Sequence, residues 1–201
     1  MKAICICLPE NPDQVEKARA HFASRGLEVE FFWGIHGQAS GLTTSHVYEV
    51  DHPGSGYKIG PNTIGNWLAH YMLWSCLMRL PDDRFLVLEA DAQLPEDFGP
   101  RFDKALADAP KNFDFLHIGS CCVKGHPFKK IPGNGNVVET KHALCTHAYV
   151  IARKCLPLVL RTMRKVWAPI DIQLMLEVYP HLHTYAVMPR IVEQLNTLLP
   201  Q

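Results

Sequence analysis

The run Phe85-Leu86-Val87-Leu88-Glu89-Ala90-Asp91-Ala92 passes from uncharged and apolar to acidic at a single position. Alternate side chains of a strand share a face, so an extended backbone carried through this end aims Glu89 and Asp91 the same way. Two carboxylates so placed can hold one hard divalent cation. A cation there can bridge a diphosphate and neutralise the charge that builds on a departing phosphate. The position agrees with the chemistry, because open α/β sheets bind ligands beyond the carboxyl ends of their strands. A buried strand followed by a solvated acidic turn fits the same eight residues.

Asp171 is the second carboxylate of interest. Ala168-Pro169-Ile170 makes a stiff approach to it, and it then stands as the cap or a first-turn residue of a helix, where capping is its simplest role. His70 falls on an apolar stripe with Trp67, Tyr71 and Trp74, which suits a hydrogen-bonded core histidine or a donor lining a site. Cys121-Cys122 and Cys145-Thr146-His147 form no pair of Cys-x-x-Cys knuckles, so a structural zinc is not expected. Gly133-x-Gly135 does not match a dinucleotide or P-loop pattern, and no Gly-x-Ser-x-Gly elbow is present, so hydride transfer and serine hydrolysis lack support. Lys124, His126, Lys129 and Lys130 form a basic loop that is either solvated or within reach of phosphates.

The elements that must position these groups alternate between strand and helix. Ala3 to Leu8 is a continuous apolar run, as in a strand covered on both faces. Asn11-Pro12 supplies the cap and first turn of a helix reaching residue 25, and Gly26 ends it. Residues 27–33 read as a second strand, completing a unit that builds a parallel sheet. Residues 34–61 carry glycines and prolines without periodicity, which suggests a binding loop. Trp67, His70, Tyr71, Trp74, Leu77 and Met78 recur at three and four and predict a helix over about 63–80, terminated by Pro81. Beyond the acidic strand the pattern predicts a short helix over 100–109 and a strand over 113–118. It then predicts a loop over 120–141, with a hairpin signal at Gly133-Asn134-Gly135-Asn136. A strand over 148–151, helices over 153–166 and 171–178, and a last strand over 184–188 complete the reading.

With 201 residues and 47% hydrophobic content, the chain can bury a substantial core and is expected to form one domain over 1–201. Lys plus Arg and Asp plus Glu number 20 each, so no overall field recruits nucleic acid or an anionic membrane, and no nucleic-acid partner is expected. Seven cysteines, several within apolar elements, fit a reducing compartment. The opening apolar stretch is too short for a signal-peptide core, and no run reaches the roughly 18 residues of a membrane span, so the expectation is a soluble, cytoplasmic protein without a transmembrane segment.

Taken in order, several segments resemble glycosyltransferase family 25, which includes lipooligosaccharide and collagen galactosyltransferases. Ile64-Gly65-Asn66-Trp67-Leu68-Ala69-His70-Tyr71-Met72-Leu73-Trp74 is similar to the family's Ile-Gly-Cys-x-Leu-Ser-His-x-x-x-Trp helix, and Val87-Leu88-Glu89-Ala90-Asp91-Ala92 to its Val-Leu-Glu-Asp-Asp-Ala metal motif. Asp114 to Gly119 resembles its strand ending in Leu-Gly, and Thr146-His147-Ala148-Tyr149-Val150-Ile151 its Gly-Thr-x-Ala-Tyr-x-Ile segment. Pro169-Ile170-Asp171 is similar to its Pro-Val-Asp, and Pro189 to Gln194 to its terminal Pro-x-x-x-x-Gln.

The resemblance implies an α/β fold of the GT-A type, with a central, mostly parallel sheet flanked by helices. It implies a UDP-sugar donor, commonly UDP-galactose, Mn²⁺ or Mg²⁺, a glycan or other hydroxyl acceptor, and inversion at the sugar carbon, as in lipopolysaccharide biosynthesis. On this reading Glu89 and Asp91 hold metal and diphosphate, His36 and His70 face the donor, and Asp171 is the general base. The chain departs from the family at Ala90, where the metal motif has Asp, at Ala69, where the helix has Ser, and at His36, which replaces the Asp of an Ala-Val-Asp-Gly turn. A domain that binds a nucleotide sugar without turnover is the alternative, and nucleotidyl or phosphoryl transfer by the same carboxylates a third.

Overall fold

The apolar run at the chain's start forms β1 (Lys2–Cys7), and the acidic-ended run forms β3 (Arg84–Glu89) beside it in parallel, Ile6 opposite Glu89. The computed structural model describes residues 1–42, 59–122, 129–131, 133 and 135–195. Residues 43–58 of the expected binding loop, Lys124 and His126 of the basic loop and Asn134 of the expected turn lie outside the described residues.

Helix α1 (Pro12–Ser24) starts where the Asn11 side chain accepts a hydrogen bond from the Gln14 N–H at 3.1 Å. It ends with the Gly26 N–H on Ala23 O and the Leu27 N–H on Phe22 O, Gly26 adopting a φ of 70° that favours glycine. Leu27 is thereby spent on the cap, and the second strand, expected over 27–33, is the shorter β2 (Glu30–Trp33). Helix α2 (Pro61–Leu77) opens with proline in its first turn.

After β3 come the short β4 (Ala92–Gln93), α3 (Phe98–Asp108), β5 (Phe115–His117), β6 (Cys121–Cys122), β7 (Lys129–Lys130) and β8 (Val137–Glu139). β7 and β8 pair antiparallel around Gly133 and Gly135, both at positive φ, as the hairpin signal requires. The rest comprises β9 (Ala143–Leu144), β10 (Ala148–Ala152), α4 (Leu156–Thr162), α5 (Ile170–Gln173), β11 (Thr184–Val187) and β12 (Glu193–Gln194). The helix expected over 153–166 ends at Thr162, because the chain turns there and places Met163 in the core. The helix expected over 171–178 is α-helical only to Gln173. It widens into a π turn over Leu174–Val178, a geometry often met beside functional sites.

The main sheet runs β2-β1-β3-β10-β5-β11-β8-β7. β1, β2, β3, β5, β11 and β7 share one direction and β10 and β8 oppose them, so the sheet is mixed but mostly parallel. Side chains alternate across it. Ile4, Ile6, Phe85 and Val87 pack with α2, α4 and α5 on one face, and Ala3, Cys5, Leu86 and Leu88 with α1 and α3 on the other. Both faces are thus covered, and each fully buried Leu, Ile or Phe contributes about 1.5–3 kcal/mol. Among the described residues no helix is long and apolar enough to cross a membrane.

Candidate functional site

Strand β3 stops at Glu89, tied on both sides: the Glu89 N–H donates to His147 O at 2.9 Å and the Ala90 N–H to Ile6 O at 3.1 Å. Ala90 and Asp91 form a turn, so the alternation expected of a continuing strand does not reach Asp91. Glu89 and Asp91 nevertheless line one open cavity of about 270 Å³ together with Cys7, Ile35, His36, Asn62 and Asn66.

Each carboxylate is held through one oxygen. Glu89, 19% exposed in its side chain, accepts at Oε1 from Thr146 Oγ1 at 2.8 Å and pairs with His70 Nε2 at 3.1 Å. Asp91 accepts at Oδ2 from Gln194 Nε2 at 2.9 Å, while Oδ1 is buried and, among the described residues, has no hydrogen-bond partner. Gln194 arrives through the β12–β4 pairing, which sets Gln194 opposite Ala92. Burial of Glu89 works to raise its pKa but is outweighed chiefly by the hydrogen bonds it accepts from His70 and Thr146, leaving it lowered. Burial and then the Glu89 charge push Asp91 up.

His70 is wholly buried, and its orientation follows from donor arithmetic. Trp74 Nε1 can only donate, and it does so to Tyr149 Oη at 2.9 Å. The Glu89 carboxylate can only accept, which puts a ring proton on His70 Nε2, and a neutral ring then takes the Tyr149 hydroxyl proton at Nδ1, 2.9 Å away. The stripe residue is therefore a core histidine and a holder of the acidic strand end at once.

Asp171 sits in the first turn of α5. Its Oδ1 accepts from the Ile172 N–H at 2.9 Å and its Oδ2 from the Cys145 N–H at 3.0 Å, Cys145 lying at a φ of 68°. The α5 cap position is Pro169, so simple N-capping does not describe Asp171. Asp171 lines a second cavity of about 330 Å³ with Glu89, Asn62, Asn66, Thr146 and Gln194. The Gln173 amide accepts from Trp67 Nε1 at 3.0 Å and donates to Lys165 O at 2.7 Å and Glu177 Oε2 at 2.9 Å, tying α2 to the segment bearing Asp171.

His36 Nδ1 accepts from the Ala39 N–H at 3.0 Å, which points its remaining ring N–H away from that turn. The turn is pressed against α2: a Cβ on Gly65 would lie 2.3 Å from Ile35 O, and one on Gly37 would lie 1.7 Å from Pro61 O. Cys7 lines the Asp91 cavity as a neutral thiol, pushed up to about 11 by burial. Among the described residues no three His, Cys, Asp or Glu side chains converge as a metal cluster. The two carboxylates offer hard oxygen donors of the kind a Mg²⁺-like ion takes, Asp91 Oδ1 being buried and, among the described residues, without a hydrogen-bond partner. Sequence reasoning gave no role to Thr146, Tyr149, Gln173, Asn62 or Asn66, whose parts rest on contacts between distant segments.

Comparison with known proteins adds to this geometry. A family model described as glycosyltransferase family 25 (LPS biosynthesis protein) matches residues 1–174. A glycosyltransferase 25 family member of Anopheles gambiae is 30% identical over 156 residues, covering 73% of this chain and 26% of its own length, and one of Aedes aegypti is 26% identical over 157 residues. The chain thus spans about a quarter of the length of these insect relatives. Among solved structures, a glycosyltransferase involved in the glycosylation of the major capsid of PBCV-1 superposes with a TM-score of 0.54 at 9% identity, covering 98% of this chain and 92% of that one. The glycosyltransferase GlyE of Streptococcus pneumoniae TIGR4 superposes at 0.50 with 11% identity, covering 93% of this chain and 45% of that one. The fold is of the GT-A type.

Proposed function

The chain belongs to glycosyltransferase family 25, and on that premise we propose that it acts as one transferase domain moving a hexose, galactose being the expected sugar, from a UDP donor to a hydroxyl of a glycan-type acceptor. The reaction inverts the sugar carbon and depends on Mn²⁺ or Mg²⁺. One observation carries this reading: Glu89 lies on both cavities, with Asp91 on one side and Asp171 on the other.

Glu89 and Asp91 would hold the metal, which when bound supplies charge stabilisation for the departing diphosphate. Thr146, His70 and Gln194 orient the two carboxylates, as outer partners of metal ligands do. Asp171, fixed by two backbone N–H groups, accepts the proton of the acceptor hydroxyl as that oxygen attacks. His36 and His70 belong to the donor side, His36 at the cavity wall and His70 behind Glu89.

Ala90 also lines the first cavity and brings no carboxylate to it, which favours as second reading a domain that binds nucleotide sugar without turnover. A thermal-shift panel of nucleotide sugars with and without Mn²⁺ tests the binding. UDP-sugars at 100 times their dissociation constant should add about 2.7 kcal/mol only when the metal is present. No shift with any nucleotide sugar rejects both readings, and release of UDP from a bound donor rejects the second.

A further inference from the structure

Two asparagines of α2, one helical turn apart, join the two cavities. Asn62 and Asn66 line the cavity that holds Asp91 and also the one that holds Asp171, a property they share with Glu89. Their spacing of four puts them on one face of the helix, and that helix start is rigidly seated, because Gly65 and Gly37 leave no room for a side chain against the opposing backbone. Asn62 Oδ1 accepts from the Gln38 N–H at 3.2 Å, which turns its NH₂ donors away from the turn. Asn66 is exposed, and among the described residues no hydrogen bond holds its amide.

The inference rests on the donor reading above. If the diphosphate lies at Glu89 and Asp91 and the attacking oxygen at Asp171, the transferred sugar must span the zone between them, where Asn62 and Asn66 stand. An amide presents a donor and an acceptor side by side and so suits a hexose hydroxyl, which is also both. We propose that Asn66, supported by Asn62, reads the hydroxyls of the transferred sugar and sets the preference among UDP-hexoses. The position is this chain's own, since the family pattern quoted above has Cys where Asn66 stands.

Calorimetric titration of UDP, UDP-galactose and UDP-glucose in the presence of Mn²⁺ tests this, with wild type and Asn66→Ala compared. Asn66→Ala leaves UDP affinity within about twofold, weakens the tighter-binding UDP-hexose about tenfold and narrows the ratio between the two hexose donors. An unchanged hexose affinity relative to UDP overturns the proposal, and so does a parallel loss for UDP, which marks a merely structural role. Absence of UDP binding by the wild type overturns the donor reading itself, a different and recognisable failure.

Discussion

Removing one hydroxyl, by Tyr149→Phe, tests the hydrogen-bond chain behind Glu89. Tyr149 Oη is the shared partner of Trp74 Nε1 and His70 Nδ1, each at 2.9 Å, and all three side chains are 0% exposed. The substitution keeps the ring and its stacking on Phe115, whose centroid is 4.6 Å away, but leaves an indole N–H and an imidazole nitrogen without partners. Each orphaned buried group costs about 1–3 kcal/mol, and the hydroxyl's own relief from burial offsets part of the sum, so a net loss of about 2–4 kcal/mol is expected. For a chain of this size that lowers Tm by roughly 5–15 °C in scanning calorimetry. The effect reaches the site, because His70 no longer has a partner fixing its proton on the Glu89 side. Mn²⁺-supported UDP affinity should therefore fall about 10–100-fold, as when an outer partner of a metal ligand is removed. A double-mutant cycle with Trp74→Phe should show coupling of at least about 0.5 kcal/mol. A Tyr149→Phe protein within about 0.5 kcal/mol of wild type, with unchanged UDP affinity, refutes the chain.

Asp171→Asn should lower sugar transfer about 10²–10⁴-fold while leaving UDP–Mn²⁺ affinity within about twofold; equal losses in both, or transfer at wild-type rate, would remove Asp171 from the role of base. His117 gives a pH dependence that is independent of the carboxylates. Burial, with a smaller push from His147, lowers its pKa to about 3, and among the described residues neither ring nitrogen has a hydrogen-bond partner. The unfolded chain binds this proton near pH 6.5 and the folded chain only near pH 3, so stability is lost as pH falls through that window, by about 1.4 kcal/mol per unit. Urea unfolding of His117→Phe should lose about 2 kcal/mol less than wild type between pH 6.5 and 5, and identical acid limbs would show that His117 takes up its proton in the folded state.

Local signals made the left half of the sheet legible. The apolar run at 3–8, the Asn11-Pro12 start, the Gly26 stop and the abrupt acidity at Glu89 each act within a few residues, and β1, α1 and β3 follow them closely. The direction of β10 was not readable. Ala148 to Ala152 is an apolar strand by composition, and nothing in such a run says that it inserts antiparallel between β3 and β5. That insertion brings Tyr149 to His70 and Thr146 to Glu89. The two-residue ribbons carry no periodicity at all, yet β12–β4 delivers Gln194 to Asp91 across 103 positions. The same limit hid Asn62 and Asn66, which are two polar residues on a helix until the second cavity is seen beside the first.

The central claim is that Glu89 and Asp91 hold a divalent ion on which a sugar-bearing diphosphate sits. Calorimetric titration of UDP into wild type and Asp91→Asn, each with Mn²⁺ and with chelator, tests it most directly. The account predicts that wild type binds UDP far more tightly with Mn²⁺ and that Asp91→Asn loses this metal-dependent gain while its Tm changes little. Equal Mn²⁺-dependent affinity in the two proteins would contradict it.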